Sequence, residues 1–276
     1  MVLKSFAKIN LTLSVTNKFV SGLHNIQSIY CLVNVFDSVI LKKNTKKDKV
    51  SFKGPYSKYV HRSNNSIKTL LKIMRKLKLI SDYYNVQVFK RIPVYAGLGG
   101  GTSNAATVLN FLKKKISRKS FDKIISYVGT DLRLFEYNQG FLKSLKKVVK
   151  LNKKHKLYFL LANPKIKCSS KKIYSYVRSY SKKRKLSQKN FATKARFINS
   201  IKRSQNDLQL IVEKKYPKIQ SLLESISKEK GCYLSRMTGS GSVCYGIFNN
   251  LTCSKAALKN LRKKYPKFWF SIAKTI

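Results

Sequence analysis

The 276-residue chain carries 59 Lys and Arg against ten Asp and Glu, a formal net charge of +49, and 48 of the basic residues are Lys. Its 43% apolar residues supply the core of one large domain or two modest ones, which excludes global disorder, while 12 Gly and 5 Pro exclude fibrous and collagen-like folds. No apolar run approaches the roughly 20 residues of a membrane span; Leu157–Ala162 is the clearest and is far too short, so no membrane partner is expected.

The first element follows Met1 closely, leaving no room for a signal or transit peptide, and a cytoplasmic location is expected. Ala7, Ile9, Leu11, Leu13 and Val15 alternate with Lys8, Asn10, Thr12, Ser14 and Thr16. A period of two predicts a half-buried strand with Lys8 and Asn10 on its polar face. Val86 and Val88 mark a second strand, which runs into Pro93 and a glycine-rich turn. Beyond the turn, Ala105, Val108, Leu109 and Leu112 have helical spacing, with Ser103 or Asn104 as the expected cap. Ser179–Gln205 is basic and polar and reads as a loop or a solvated helix pair. Helical spacing resumes at Leu208, Ile211 and Val212, breaks near Pro217 and continues through Ile219, Leu222, Leu223 and Ile226, before a strand over Val243–Phe248. Interspersed strands and helices predict a mixed α+β fold, divided near residue 150 into lobes 1–150 and 151–276. No repeat of 20–50 residues is present.

The most informative segment is the turn Pro93, Val94, Tyr95, Ala96, Gly97, Leu98, Gly99, Gly100, Gly101, Thr102, Ser103. Four glycines in five positions remove the Cβ atoms that keep backbone amides away from a ligand. A following helix aims its unpaired amides and positive dipole end at the same place. Together they form an anion cradle suited to a polyphosphate, and the Thr102 and Ser103 hydroxyls suit phosphate or Mg²⁺. The pattern is neither Walker A nor a dinucleotide fingerprint. A merely flexible turn is the competing reading, although it does not require the small Ala105 and Ala106 behind it.

Transfer of a phosphoryl group to an alcohol calls for a proton acceptor, usually a carboxylate. Of the ten present, Asp48 lies in a Lys run, and Glu213, Glu224 and Glu229 lie in solvated helical stretches. Asp131 follows Gly129-Thr130 and precedes an apolar segment, which fits a turn beside buried structure and equally fits a helix-capping Asp. Lys8, on the polar face of a strand, is expected on its own to be a solvated Lys. Among the three His, His61 and His155 sit in polar, basic contexts and are expected at the surface. His24 is either an ordinary turn residue or a base reader, since a neutral imidazole offers one donor and one acceptor. Five Cys without a Cys-x-x-Cys pair point to free thiols in a reducing compartment, not to a zinc site; no protein-held metal is expected. Lys is dispersed from Lys4 to Lys274 and fits drifted composition better than a basic nucleic-acid arm, so no dedicated nucleic-acid partner is expected.

Pro93 through Ala106 resembles the phosphate loop of the GHMP kinases, named for galacto-, homoserine, mevalonate and phosphomevalonate kinases. Ala7-Lys8-Ile9-Asn10-Leu11 resembles their N-terminal motif, and Met237-Thr238-Gly239-Ser240-Gly241-Ser242-Val243-Cys244 their C-terminal glycine motif. The resemblance implies two lobes, an N-terminal ATP lobe like ribosomal protein S5 domain 2 and a ferredoxin-like C-terminal lobe, with ATP and Mg²⁺ as cofactors. Gly22-Leu23-His24, Asn206-Asp207-Leu208 and Gly129–Phe135 are similar to the branch acting on a cytidyl diphosphate-linked methylerythritol. That branch phosphorylates the 2-hydroxyl of this small-molecule substrate in non-mevalonate isoprenoid synthesis. A mevalonate- or homoserine-type kinase and a nucleic-acid-binding protein are the alternatives.

By this resemblance Asp131 is the general base, and Lys8 stands beside it to favour alkoxide character at the attacking hydroxyl. Pro93–Ser103 cradles the nucleotide, while Asn10, His24, Tyr174, Gly239 and Ser240 contact the substrate. The chain departs from the branch's pattern at Leu23, where an aromatic ring is usual, and at Arg133, where Pro is usual. Tyr95-Ala96 stand where some members carry more glycine, and the Gly-x-Gly-Glu segment has no counterpart near Lys143–Lys147.

Overall fold

A computed structural model describes residues 1–112 and 116–276. In chain order its elements are β1 (Val2–Asn10), β2 (Ser14–Lys18), β3 (His24–Asn44), β4 (Lys49–Lys53), α1 (Ser66–Lys76), β5 (Tyr83–Phe89), α2 (Gly100–Leu112) and α3 (Arg118–Val128). There follow β6 (Gln139–Ser144), β7 (Lys147–Lys150), β8 (Tyr158–Asn163), α4 (Ser170–Tyr174), α5 (Lys194–Lys202), α6 (Gln209–Lys215) and α7 (Pro217–Ser227). The last four are β9 (Cys232–Met237), β10 (Cys244–Phe248), α8 (Leu251–Lys264) and β11 (Trp269–Lys274). Two compact units are assembled from interleaved segments: Met1–Lys8, Val35–Val94 and Gly99–Glu136 form unit 1, and Ile9–Asn34, Tyr95–Leu98 and Tyr137–Ile276 form unit 2.

In unit 1, residues 38–44 of β3 pair antiparallel with β5, and β4 adds a parallel strand to the other edge of β5. Tyr84, Val86 and Val88 alternate inward along β5, and α1, α2 and α3 supply the opposing apolar surface. Asn65 caps α1 by accepting from the Lys68 amide at 3.1 Å. Ile67, Leu70, Leu71 and Met74 then fall on one face at helical spacing and are buried. They pack with Val39, Val86, Val88, Val108, Leu109, Ile124 and Leu132 into one core. Ser117 caps α3, which ends at Gly129 with φ +126°, a backbone region that favours glycine. That stop turns the chain into the short 3₁₀ segment Thr130–Phe135, and the turn is what delivers Asp131.

In unit 2, β11, β8, β10 and β9 form a four-stranded antiparallel sheet in that spatial order. Read as β-α-β-β-α-β, this order is the ferredoxin-like arrangement, with α7 and α8 packed on the sheet. A Cβ on Gly246 would stand 2.6 Å from Ile226 Cγ2, so the glycine lets α7 lie directly on β10. Pro217 opens α7, where its missing amide costs nothing.

Four readings change. The strand expected over residues 7–16 is interrupted after Asn10 and resumes at Ser14. The Leu11 and Thr12 amides both donate to the Ile29 carbonyl, while Leu13 exchanges backbone bonds with Gln205 and Asp207. Its polar face is buried, not solvated, because internal partners replace water: Asn10 Nδ2 donates to Ser28 Oγ at 2.8 Å, and the Ile29 amide to Thr12 Oγ1 at 2.9 Å. His155 is also inside, stacked on Phe197 with centroids 4.5 Å apart and bonded through Nε2 to the Phe191 carbonyl. The basic stretch 179–205 contains a single α-helix, α5, whose Phe197 and Ile201 are buried.

The deepest polar cluster of unit 1 is Asp37, which is 0% exposed. It accepts from the Lys90 ammonium, from Asn104 Nδ2 at 3.0 Å, and from the Arg91 and Ile92 amides at 2.7 and 2.8 Å. Burial pulls the Lys90 pKa below its ordinary value, and Asp37 opposes that shift. Removing one partner of such a pair leaves an uncompensated buried charge. Asp37→Ala is therefore expected to cost about 3–5 kcal/mol in urea unfolding; a loss below about 1 kcal/mol would show that water reaches Lys90.

Candidate active site

The helix after the glycine turn begins earlier than its apolar spacing suggests. The Ser103 amide already bonds the Gly99 carbonyl at 2.8 Å, so Gly100, Gly101 and Thr102 form the first turn, where amides have no carbonyl of their own helix to bond. Ser103 and Asn104, expected as caps, are buried inside α2. Ser103 Oγ donates to the Phe6 carbonyl at 2.6 Å, and Asn104 Nδ2 donates to Ser5 Oγ at 2.9 Å. Their side chains fasten the helix to β1, and Thr102 keeps the more accessible hydroxyl of the turn.

Each glycine of the turn answers a different constraint. Within unit 1, a Cβ on Gly99 would meet Lys8 Cγ at 2.9 Å, and one on Gly100 would meet Ile92 Cγ2 at 3.0 Å. Within unit 2, a Cβ on Gly97 would meet the Thr238 carbonyl oxygen at 2.2 Å. Gly97 and Gly99 also have φ of +73° and +66°, where a side chain is strained. Gly101 differs, since its nearest neighbour is Ser66 Oγ at 3.7 Å. Among the described residues nothing excludes a side chain there. Of the remaining turn residues, Pro93, Ala96 and Leu98 are buried, Val94 is half-buried and Tyr95 is exposed.

The Lys8 side chain passes beneath Gly99, and its Nζ lies 3.6 Å from Asp131 Oδ2. Lys8 is buried, whereas the Asp131 side chain is 41% exposed. Burial lowers the Lys8 pKa, and the neighbouring carboxylate acts against that shift. Unit 1 thus joins three sequence-predicted features at one place: the helix N-terminus, Lys8 and Asp131. Nearby carboxylates are committed elsewhere. Arg133, at the position where Pro was expected, is buried and pairs with Asp122 at 2.6 Å and Glu136 at 3.6 Å.

Unit 2 gathers the remaining candidates in two places. The Asn10 amide donates to Thr238 Oγ1 at 2.9 Å, and the Val243 amide donates to the Ala96 carbonyl at 3.2 Å. Asn206 Nδ2 donates to the Met237 and Gly239 carbonyls, both at 2.8 Å, which fixes the second glycine turn. Ser240 Oγ lies 2.7 Å from Ser170 Oγ. Separately, the His24 ring lies against Tyr174 with centroids 5.2 Å apart, and Tyr180 stands 6.5 Å away. Burial and the nearby Lys18 charge lower the His24 pKa, favouring the neutral ring at pH 7. Leu23 is 52% exposed and, being aliphatic, adds no ring to this cluster.

Sequence reasoning gave no role to Lys90, Asp37 or Tyr180 and met Thr238 only as part of the C-terminal glycine motif. Lys90, three residues before Pro93, carried a positional signal, but 48 lysines concealed it. Among the described residues no three His, Cys, Asp or Glu converge on a metal position, and no helix is long and apolar enough to cross a membrane.

A model of the GHMP kinases N terminal domain matches residues 64–130, and a model of the GHMP kinases C terminal matches residues 183–267. The chain is 36% identical to the 4-diphosphocytidyl-2-C-methyl-D-erythritol kinase of Pelagibacter ubique (strain HTCC1062), over 99% of this chain and 98% of the relative. It is 30% identical to the enzyme of that name from Wolbachia sp. subsp. Drosophila simulans (strain wRi), over 96% and 95%. The fold is similar to a crystal structure of 4-(cytidine 5'-diphospho)-2C-methyl-D-erythritol kinase, with TM-score 0.74, 19% identity and 99% coverage of both chains. It is also similar to homoserine kinase from Cytophaga hutchinsonii, with TM-score 0.66, 14% identity and coverage of 100% and 94%.

Gly101 separates packing from ligand approach. Gly101→Ala is expected to keep the fold and raise helix stability by up to about 1 kcal/mol, while weakening nucleotide binding about tenfold through the added methyl. Unfolding and fluorescent-nucleotide titration check both. Unchanged affinity would show that the phosphates do not approach this amide.

Proposed function

The chain belongs to the GHMP kinase family, and from that membership we propose how its own residues carry out the transfer. The reaction moves the γ-phosphoryl group of ATP to the 2-hydroxyl of 4-diphosphocytidyl-2-C-methyl-D-erythritol, in the non-mevalonate route to isopentenyl diphosphate. The observation that carries the residue assignment is the position of the Lys8–Asp131 pair beneath Gly99, at the N-terminal end of α2. Bound anion and proton acceptor then lie side by side.

The amides of Gly100, Gly101 and Thr102 hold the phosphates, aided by the positive end of the α2 dipole. The substrate hydroxyl approaches Asp131, whose carboxylate takes its proton as the oxygen forms a bond to the γ-phosphorus. The bond from that phosphorus to the bridging oxygen breaks, and ADP leaves with the electron pair. Lys8 stabilises negative charge on the attacking oxygen. Positioning and charge compensation supply most of the acceleration in such transfers, and no covalent phosphoenzyme is needed.

Mg²⁺ ordinarily keeps several waters and binds through phosphates and one or two protein oxygens. The turn fits that mode: Thr102 offers a half-buried hydroxyl in the first turn of α2, whereas the Ser103 hydroxyl is already given to Phe6. When bound, the ion would neutralise charge on the β- and γ-phosphates.

For the cytidyl end, His24 supplies one donor and one acceptor to the base edge, and the Tyr174 ring supplies a stacking face. Asn10, at the end of β1, and Gly239 and Ser240, in the second glycine turn, contact the substrate. The His24–Tyr174 pair favours a cytidyl alcohol over mevalonate or homoserine, which present no aromatic base.

Substrate choice is tested by ADP release from purified protein offered each alcohol in turn. His24→Ala is expected to raise the KM for the cytidyl substrate about tenfold and leave the KM for ATP unchanged. In the unsubstituted protein, that same KM should rise as pH falls below the ordinary imidazole range, because protonation removes the acceptor. A pH-independent cytidyl KM, or equal turnover of mevalonate, would contradict the assignment.

A further inference from the structure

Part of the +49 charge comes together at one place in unit 2. Residues 137–206 include no Asp or Glu, and within that stretch Arg184, Lys189, Arg196 and Arg203 line a cavity of about 370 Å³. No residue lining the cavity is acidic. Like charges brought together repel, and the stretch that contains them supplies no carboxylate to offset the repulsion. The helix adds to the imbalance. Arg196 lies in the first turn of α5, which contains no acidic residue, and the positive end of the helix dipole favours an anion there.

The walls are fixed by bonds that do not consume these charges. The buried Gln27 side chain grips the Arg184 backbone from both sides, accepting from its amide at 2.8 Å and donating to its carbonyl at 3.3 Å. Ser200 Oγ donates to the Asn190 carbonyl at 3.3 Å, and the Asn190 side chain accepts from the Ser187 amide at 2.8 Å. The Arg184 guanidinium gives one bond, at 3.2 Å, to the Arg203 carbonyl. These bonds preform the backbone of the wall, which lowers the ordering cost of binding, while the Lys189, Arg196 and Arg203 side chains stay exposed. Three of the four cations are Arg, whose planar donor forks match phosphate oxygens in pairs.

We propose that this cavity is a second anion site, which binds a small molecule bearing two or more phosphates. It shares no residue with the glycine turn. Its volume falls in the range of small-molecule pockets and suits a di- or triphosphate group. A nucleic-acid strand tracks an extended groove instead.

The test is calorimetric titration of the full chain with inorganic tripolyphosphate at about 0.15 M salt, where exposed charges are largely screened beyond ~8 Å. The Arg196→Ala/Arg203→Ala pair is expected to bind one tripolyphosphate fewer than the unsubstituted protein and to keep its KM for ATP. A control pair, Lys255→Ala/Lys259→Ala on the exposed face of α8, removes the same charge and should keep the full stoichiometry. Equal losses in both pairs would reduce the effect to diffuse charge and overturn the proposal, as would no loss in the arginine pair. If a single-stranded oligonucleotide binds more tightly than tripolyphosphate and is lost in the arginine pair alone, the assignment to a small anion is wrong.

Discussion

Two lysine ammonium groups lie almost out of reach of water in unit 1, and each has a carboxylate beside it. In a chain with 59 basic and ten acidic residues, that use of two carboxylates is a heavy commitment, and the two pairs differ in how far water reaches them. Asp37 is fully enclosed and receives four donors, from Lys90, Asn104 and two backbone amides. Its lone pairs are filled, so it serves as a cross-brace between β3, the start of the glycine turn and α2. Asp131 is 41% exposed and stands 3.6 Å from the Lys8 ammonium, which leaves the carboxylate accessible to a substrate hydroxyl. One pair holds the helix that presents the anion cradle. The other stands beside Gly99 at the start of that helix, and in the proposed mechanism it takes the proton.

The glycines between these pairs divide labour in the same way. Gly99 makes room for the Lys8 stem, Gly100 for Ile92, and Gly97 for the Thr238 carbonyl. These three are required by the fold before any ligand arrives. Gly101 alone of the four meets no close neighbour, so its missing side chain has a reason only if something binds in front of it. A glycine-rich turn therefore mixes packing and binding requirements, and the added Cβ distinguishes them residue by residue.

Much of this was legible in the sequence, for identifiable reasons. Alternation along Val86 and Val88, helical spacing through Ala105–Leu112 and Ile219–Ile226, and the break at Pro217 are local signals, and the elements they predict are present. The resemblance placed Lys8 beside Asp131, and the two side chains do lie 3.6 Å apart. What escaped was set by contacts distant in sequence. Alternating polar residues look the same whether they face water or hydrogen-bonded partners, so the burial of Asn10 and Thr12 against Ser28 and Ile29 was unreadable. His155 sits among lysines in sequence yet stacks on Phe197 in space. Ser103 and Asn104 match a helix cap by type, but their partners Ser5, Phe6 and Asp37 lie about a hundred or about seventy residues away.

The central claim is that Lys8 and Asp131 act as one unit on the transferred proton, and a double-mutant cycle on kcat tests it most directly. Asp131→Asn and Lys8→Met are each compared with the double variant at saturating ATP and cytidyl substrate, with nucleotide binding measured alongside to confirm an intact cradle. Loss of a general base costs about 10²–10⁴ in rate. If the pair works as a unit, the double variant is no slower than Asp131→Asn alone, because Lys8 has nothing left to support. Losses that multiply independently, or near-normal turnover in Asp131→Asn, would contradict the account.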